Sequence, residues 1–202
     1  LAAGMDNSKE LKLLIDIGTN GEIVLGTKDR LLACATAAGP AFEGVQISCG
    51  MRGALGAIDH VSMGEEYKYT VIGKALPRGI AGSGLVDAVA ELLKIGIVDK
   101  NGRFTKPEKV KTELGKKYKD RIVSINGILS FSLAKNTATG QPVYISQKDI
   151  REFQLAKGAI AAGIEILLRA YGAKVEDIAE VFLAGAFGNY LNHESACRVG
   201  LI

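Results

Sequence analysis

The chain of 202 residues has few members of several residue types, and each shortage excludes a class of protein. It has three cysteines, Cys34, Cys49 and Cys197, and no pair has the Cys-x-x-Cys spacing of a zinc or iron–sulfur site. Because an odd, irregularly spaced set is typical of a reducing compartment, we expect a cytoplasmic protein with free thiols. The chain has no tryptophan and only 6% aromatic residues, which argues against a surface that stacks bases or sugars.

Charge and hydropathy exclude two further classes. The formal net charge is +3, too small to indicate a nucleic-acid partner. We find no signal peptide and no run of about 18 apolar residues, so we expect no membrane partner. Apolar residues make up 48% of the chain and charged residues 23%, the balance of a globular protein with a sizeable core.

Positive charge is concentrated between Asp99 and Arg121, where nine Lys or Arg residues stand against four Asp or Glu. The segment also contains Pro107 and two glycines, which interrupt regular structure. We interpret 99–121 as a basic insertion within one domain. A solvated surface is the first explanation, and a docking surface for an acidic partner is the alternative.

Glycine is abundant, with 25 residues, and the first informative glycines follow an apolar run. Lys12–Ile17, 22–25 and 31–36 are predicted strands of an antiparallel meander. The first two strands flank a turn at Asp16–Gly21, whose backbone N–H groups suit a phosphate and whose carboxylate suits Mg²⁺. The alternative is an ordinary hairpin with Asn20 and Gly21 as its turn.

Two other glycine-rich segments adjoin predicted elements. Gly79–Gly84 opens onto a helix with apolar residues on one face over 85–93, which predicts either an anion site at the helix N-terminus or close packing on a sheet. The apolar strand 181–184 opens into small residues from Gly185 onward, which we expect to form a loop.

The remaining pattern completes an α/β order. We predict a short helix over 44–57, strands over 67–72, 122–134 and 143–145, and a helix over 194–199. Ser146 and Asp149 form a capping box, which predicts a helix from there to about Tyr171. Gly158 and Gly163 lie within that helix, and we expect another backbone to pass close to them.

Three motifs together resemble one family of ATPases. They are Asp16-Ile17-Gly18-Thr19-Asn20-Gly21-Glu22-Ile23, Ala37-Ala38-Gly39-Pro40-Ala41-Phe42-Glu43-Gly44 and Phe182-Leu183-Ala184-Gly185-Ala186-Phe187-Gly188-Asn189-Tyr190. The first and third resemble the phosphate turn and the adenosine-binding segment of the superfamily of sugar kinases, actin and heat-shock chaperone ATPases. All three, in this order, resemble the ATP-dependent reductive activators of corrinoid proteins, and the resemblance covers nearly the whole chain.

The resemblance implies an α/β fold: a ribonuclease-H-like lobe with an antiparallel strand meander, a mixed sheet and flanking helices. The whole of 1–202 is then the second, C-terminal lobe of an actin-like ATPase domain, because a single Asp-x-Gly-Thr strand-turn is present and the ATPase needs one from each lobe. We expect this lobe to be incomplete at its C-terminal end. The resemblance also implies a first lobe and an iron–sulfur domain in the same parent chain. A corrinoid protein is the implied partner, and a homodimer is possible.

The resemblance assigns ATP and Mg²⁺ as cofactors, with the iron–sulfur cluster on a missing domain. Asp16 is expected to position Mg²⁺ or the attacking water. The other residues assigned to the nucleotide are Gly18, Thr19, Asn20, Gly21, Glu43, Gly82, Gly84, Gly185, Ala186 and Phe187. The parent is expected to couple ATP hydrolysis to electron transfer onto Co(II), whereas this fragment alone is expected to be inactive and to bind nucleotide weakly.

Two other functions fit the same residues. A small-molecule kinase of the same superfamily shares the phosphate turn, and a substrate-binding first lobe would distinguish it. A non-catalytic lobe that serves dimerisation or docking is the alternative from a different class.

Overall fold

The computed structural model describes residues 3–202, except for the side chain of Ala186. The strands are β1 (Lys12–Ile17), β2 (Gly21–Thr27), β3 (Arg30–Thr36), β4 (Ala57–Met63), β5 (Tyr67–Val71), β6 (Gly79–Ile80), β7 (Ile122–Ile125), β8 (Ile128–Ala134), β9 (Val143–Ser146) and β10 (Glu180–Ala184). The helices are α1 (Gly82–Lys94), α2 (Glu113–Tyr118), α3 (Gln147–Tyr171), α4 (Gly185–Tyr190) and α5 (His193–Arg198). The chain forms two compact units, Leu1–Pro40 with Leu155–Tyr190 and Ala41–Gln154 with Leu191–Ile202.

The first unit is a four-stranded mixed sheet in the order β10-β1-β2-β3. β1, β2 and β3 are antiparallel neighbours, and β10 lies parallel to β1 on its other side. The predicted meander is therefore confirmed, with strand ends within two residues of those expected. Side chains alternate along β1, where Leu13, Ile15 and Ile17 are buried. This period of two is the signature of a sheet with one covered face.

The part of α3 that belongs to the first unit lies against β2 and β3. A Cβ atom on Gly163 would lie 2.4 Å from Cγ2 of Thr36 and 2.8 Å from Cδ1 of Ile23. Gly163 is therefore required by side chains of the sheet, and our expectation of a passing backbone was wrong. The same expectation for Gly158 was also wrong, because a Cβ atom there would have nothing within 4 Å of it.

The second unit contains two three-stranded sheets, in the orders β5-β4-β6 and β7-β8-β9. α1 is buried over nearly its whole length and contacts β4. The predicted helix over 44–57 was wrong: a 3₁₀ turn at Pro40–Glu43 leads through turns into β4. A Cβ atom on Gly50 would lie 2.1 Å from the carbonyl oxygen of Gly44, so the two backbones touch and leave no room for a regular helix there.

The Lys-rich segment 99–121 is tied to the second unit by buried apolar residues. Phe104, Val110 and Tyr118 are buried, whereas most of its lysines are exposed. The N–H of Phe104 donates to Oε1 of Gln147 at 2.8 Å. That the segment is an insertion remains a prediction.

Tyr67 lies at the centre of a polar cluster that joins the segment 99–121 to two sheets of the second unit. Its hydroxyl donates to the carbonyl of Leu133 at 2.8 Å, and the guanidinium carbon of Arg121 stands 3.9 Å from the centre of its ring. Arg121 in turn donates to the carbonyls of Ser132 and Leu133 at 3.1 and 3.3 Å. Burial raises the pKa of the Tyr67 phenol far above its ordinary value, and the charge of Arg121 offsets part of the rise.

Replacing Tyr67 by phenylalanine is expected to lower the free energy of unfolding by about 1 kcal/mol, because one part-buried hydrogen bond is lost while the ring still faces Arg121. In the wild type, the raised pKa lets the folded chain keep the proton after the unfolded chain has lost it, so stability falls as the pH rises above about 10. The variant should show a shallower fall. Urea midpoints of both chains at pH 8 and pH 11 measure this difference. An equal fall of the midpoint between the two pH values in the wild type and the variant would contradict it.

Candidate functional site

The carboxylate of Asp16 lies against the backbone of Gly185. β1 and β10 are parallel, Asp16 is opposite Ala184, and both strands end at the same edge of the sheet. Gly185 has a φ of +76°, and a Cβ atom there would lie 2.2 Å from Oδ1 of Asp16. Only glycine satisfies both conditions. The structure therefore brings together two motifs that are far apart in the sequence.

The segment that follows β10 is a helix, and the expected loop was wrong. α4 begins at Gly185 immediately after the strand. A Cβ atom on Gly188 would lie 2.9 Å from the carbonyl carbon of Leu183, so a small residue is needed where the helix folds back on the strand. Phe187 is half-buried in this helix. The side chain of Ala186, to which we assigned a contact with adenosine, lies outside the described residues.

The turn after β1 contains three residues, Gly18, Thr19 and Asn20. Gly21 is the first residue of β2 and pairs with Ile17, so a two-residue turn of Asn20 and Gly21 does not form. The N–H of Gly18 donates to the carbonyl of Asn20 at 2.9 Å. Thr19 and Asn20 are exposed at the tip.

Gly21 is explained by packing within the first unit. A Cβ atom there would lie 2.7 Å from Oγ1 of Thr36 and 3.2 Å from Cγ1 of Ile160. Gly18 is different, since a Cβ atom there would have only the carbonyl oxygen of Asn20 within 4 Å. Packing within the chain therefore does not require glycine at position 18, and the open space there would let a ligand approach the backbone closely.

A second carboxylate, Glu22, stands opposite Asp16 in the β1–β2 ladder. Directly opposed residues project from the same face of a sheet, and like charges in such a pair destabilise it. Within 3–202, neither carboxylate has a hydrogen bond or ion pair. We did not identify Glu22 from the sequence; the register of the hairpin, with Gly21 counted as a strand residue, would have indicated it.

The two carboxylates alone do not complete a metal site. Among the described residues, no group of three or more His, Cys, Asp or Glu side chains is placed to hold a metal ion. Mg²⁺ is commonly bound by one or two carboxylates together with phosphate oxygens and water. The donor set at Asp16 and Glu22 fits a cation of that kind.

The other assigned residues belong to the second unit. Glu43 is half-buried at the end of the 3₁₀ turn. Gly82 and Gly84 are buried in the first turn of α1, and a Cβ atom on Gly84 would lie 2.3 Å from the carbonyl oxygen of Ile58. Close packing on β4 thus accounts for Gly84. The roles of Glu43, Gly82 and Gly84 in nucleotide binding remain predictions.

Two sequence expectations concern the environment of the chain. Cys34, Cys49 and Cys197 are all free thiols, and burial raises the pKa of Cys34 and Cys49. In the part of the chain that the structure describes, no helix is long and apolar enough to cross a bilayer.

Comparison with known proteins gives consistent results. Residues 10–202 match the family model described as the C-terminal domain of RACo, the ASKHA domain. The chain is 41% identical to the corrinoid activation enzyme RamQ of Eubacterium limosum, over 98% of this chain and 34% of that protein. It is 30% identical to the [Co(II) methylated amine-specific corrinoid protein] reductase of Methanosarcina barkeri, over 95% of this chain and 34% of that protein.

A solved structure, the reductive activator for a corrinoid, iron–sulfur protein, superposes with a TM-score of 0.87 at 42% identity. The superposition covers 99% of this chain and 31% of that one. The chain thus spans about a third of the length of these relatives, and the predicted fold class and second-lobe resemblance are confirmed. The chain belongs to the family of RACo C-terminal domains, the ASKHA domains of reductive activators of corrinoid proteins.

Proposed function

We propose that this chain is the nucleotide-binding C-terminal lobe of an ATP-hydrolysing iron–sulfur protein that reactivates Co(II) corrinoid proteins for methyl transfer. The observation that carries the proposal is the contact between the Asp16 carboxylate and Gly185, because it joins the phosphate turn to the predicted adenosine segment in one unit. The relatives are named as proteins that act on corrinoid proteins, and this supports the assignment of the partner.

Within this lobe, Asp16 and Glu22 would hold the Mg²⁺ that accompanies ATP, which would neutralise phosphate charge, and Gly18 would let the phosphates approach the turn. Phosphoryl transfer depends mainly on positioning and on neutralising charge, and ATP supplies the bond that is broken. The opposed carboxylates provide negative charge that would attract the cation. Asp16, whose carboxylate lies against Gly185, would also orient the attacking water. Gly185, Ala186 and Phe187 line the adenosine.

The remaining parts of the reaction belong to other segments of the parent protein. A first ATPase lobe closes the site from the other side, and closure is the type of hinge movement that nucleotide binding drives. An iron–sulfur domain supplies the electron, since redox chemistry is a property of the cofactor. A cytoplasmic location and a homodimer are further parts of this proposal.

A Gly185→Ala substitution tests the proposal in the full-length parent. Alanine is strained at a φ of +76°, and its methyl group displaces the Asp16 carboxylate. We expect MgATP to bind about tenfold more weakly, since displacing a carboxylate that binds Mg²⁺ lowers the binding free energy by about 1 kcal/mol or more. Calorimetric titration with MgATP measures the affinity.

Gly158→Ala is the matched control in the same unit. It has open space at its Cβ position within α3, so it should leave affinity unchanged and stabilise the helix by up to about 1 kcal/mol. If Gly185→Ala bound MgATP as the wild type does, the assignment of this contact to the nucleotide site would be refuted.

A further inference from the structure

Two exposed loops of the second unit are joined into one surface. Residues 51–56 connect the turns after Ile47 to β4, and residues 72–78 connect β5 to β6. The N–H of Gly56 donates to the carbonyl of Ile72 at 3.0 Å, and the N–H of Arg78 donates to the carbonyl of Gly56 at 2.8 Å. The backbone bonds fix the two loops against each other, so their side chains form a continuous surface.

This surface has an apolar centre and a cationic border. Leu55 is 60% exposed and Leu76 is 51% exposed, so each of the two loops presents an apolar side chain to solvent. Arg52, Lys74 and Arg78 are also exposed, and neither loop contains an acidic residue. We call these five residues the cationic loop surface.

The cations of the cationic loop surface lack intramolecular partners. Across residues 3–202, neither Arg52 nor Lys74 nor Arg78 forms an ion pair or a side-chain hydrogen bond. In contrast, Lys116 and Lys117 of the segment 99–121 pair with Glu113 and Glu65. The charge on the two loops is therefore not neutralised within the described chain.

A third loop continues the surface. The N–H of Ala138 donates to the carbonyl of Pro77 at 2.9 Å, which attaches the loop 135–142 to the second of the two loops. Lys135 and Pro142 of that loop line a shallow recess of about 330 Å³, together with Val123, Ile125 and Ser132. A recess with Val123, Ile125 and Pro142 in its lining suits an apolar side chain of a bound protein.

We propose that the cationic loop surface is where an acidic face of a protein partner docks, with apolar side chains of that partner against Leu55 and Leu76. An apolar centre within a charged rim is the usual anatomy of a protein–protein interface. The three loops contain no aromatic residue on which bases could stack, which disfavours a single-stranded nucleic acid. Unneutralised cations select a partner of the opposite charge and speed its association.

The partner that we assign to this surface is the corrinoid protein of the parent's reaction, an assignment that rests on the proposed function. The surface lies in the second unit, whereas Asp16 and Gly185 lie in the first. The other residues assigned to the nucleotide, Glu43, Gly82 and Gly84, lie outside the two loops, so substitutions on this surface replace none of the assigned residues.

The test uses the full-length parent and a purified corrinoid protein in its Co(II) form. Arg52→Glu/Lys74→Glu is expected to weaken binding about tenfold or more, because two attractive contacts become repulsive. Its affinity should also lose most of the salt dependence of the wild type. ATP turnover without the corrinoid protein should be unchanged. Should the reversal variant fold poorly, Arg52→Gln/Lys74→Gln is expected to give a smaller loss in the same direction.

Lys109→Glu/Lys111→Glu is the matched control, since it reverses two exposed cations of the segment 99–121. It should bind the corrinoid protein within about twofold of the wild type. Wild-type affinity of the loop variants, or an equal loss in the control, would overturn the inference. A third outcome would also overturn it: the parent binds phosphatidylserine vesicles, and the loop substitutions abolish this binding but leave the affinity for the corrinoid protein unchanged. A wild-type parent that hydrolyses ATP but neither binds nor reactivates the corrinoid protein would refute the proposed function itself.

Discussion

Replacing Asp16 by alanine in the full-length parent is expected to reduce ATP turnover by about 100-fold or more, a typical loss when a group that organises transition-state charge is removed. The carboxylate lies against the backbone of Gly185, at a position that a water molecule cannot reproduce. Because Mg²⁺ then has one protein ligand fewer, MgATP affinity should fall as well. Steady-state phosphate release and calorimetric titration measure the two effects separately.

Two further variants, a comparison and a control, show whether the loss of turnover is specific to Asp16. Glu22→Gln removes the opposed charge but keeps the shape, and we expect a loss of about tenfold, smaller than that of Asp16→Ala. Glu176→Ala removes an exposed carboxylate of the first unit that has no hydrogen bond or ion pair among the described residues, so turnover should not change. Wild-type turnover in Asp16→Ala would remove this residue from the mechanism.

The convergence of Asp16 and Gly185 was predictable in part. Both motifs end an apolar strand, and a known family relates them, so the sequence predicts that they meet. The distance between them depends on the parallel register of β1 and β10, which aligns Asp16 with Ala184. Register follows from side-chain packing along the whole sheet, and a local motif carries little information on it.

Glu22 shows the same limit at a single residue. The dipeptide Asn20-Gly21 is a strong two-residue turn signal, yet Gly21 pairs with Ile17 and the turn holds three residues. The reason is packing, since Thr36 and Ile160 leave no space for a side chain at Gly21. Tertiary contacts thus moved the turn by one residue, and that shift placed Glu22 opposite Asp16.

The predictions for two segments rich in small residues were wrong, because a helix, a loop and a close backbone contact all permit such residues. The segment 44–57 is rich in them, which favours a weak helix, but Gly44 and Gly50 are small because their backbones touch. The small residues of Gly185–Tyr190 favour a loop, and the segment is a helix. A lack of side chains permits a turn, a close contact or a helix start, and only the neighbours decide among them.

The capping box at the start of α3 was predicted correctly, and the structure extends it. The N–H of Ser146 donates to Oδ2 of Asp149 at 2.7 Å, and the N–H of Asp149 donates to Oγ of Ser146 at 3.2 Å. Oδ1 of Asp149 accepts from the N–H and the hydroxyl of Ser48, at 2.7 and 3.0 Å. One fully buried carboxylate therefore anchors both the helix and the turn that contains Ser48.

Asp149→Ala is expected to lower the free energy of unfolding by about 3 kcal/mol, because the cap is lost and buried donors are left without an acceptor. Asp149→Asn keeps the shape but turns one oxygen into a donor that faces the donors of Ser48 or Ser146, so we expect about 2 kcal/mol. Urea unfolding of the chain measures both values. Asp120→Ala, at an exposed position, is the control and should change stability by less than about 0.5 kcal/mol.

A local measurement separates the anchoring role from general destabilisation. If Asp149 holds the turn at Ser48, the amide protons of Ser48 and Ser146 should exchange faster in Asp149→Asn by more than the global loss of stability explains. Amides on the buried face of α1, which contact β4 and not this carboxylate, report the global change. A uniform acceleration at both places would show that Asp149 supports the unit as a whole rather than this turn. Amide exchange that becomes faster at Ser48 than at α1 would show that the carboxylate fixes the segment that follows Glu43.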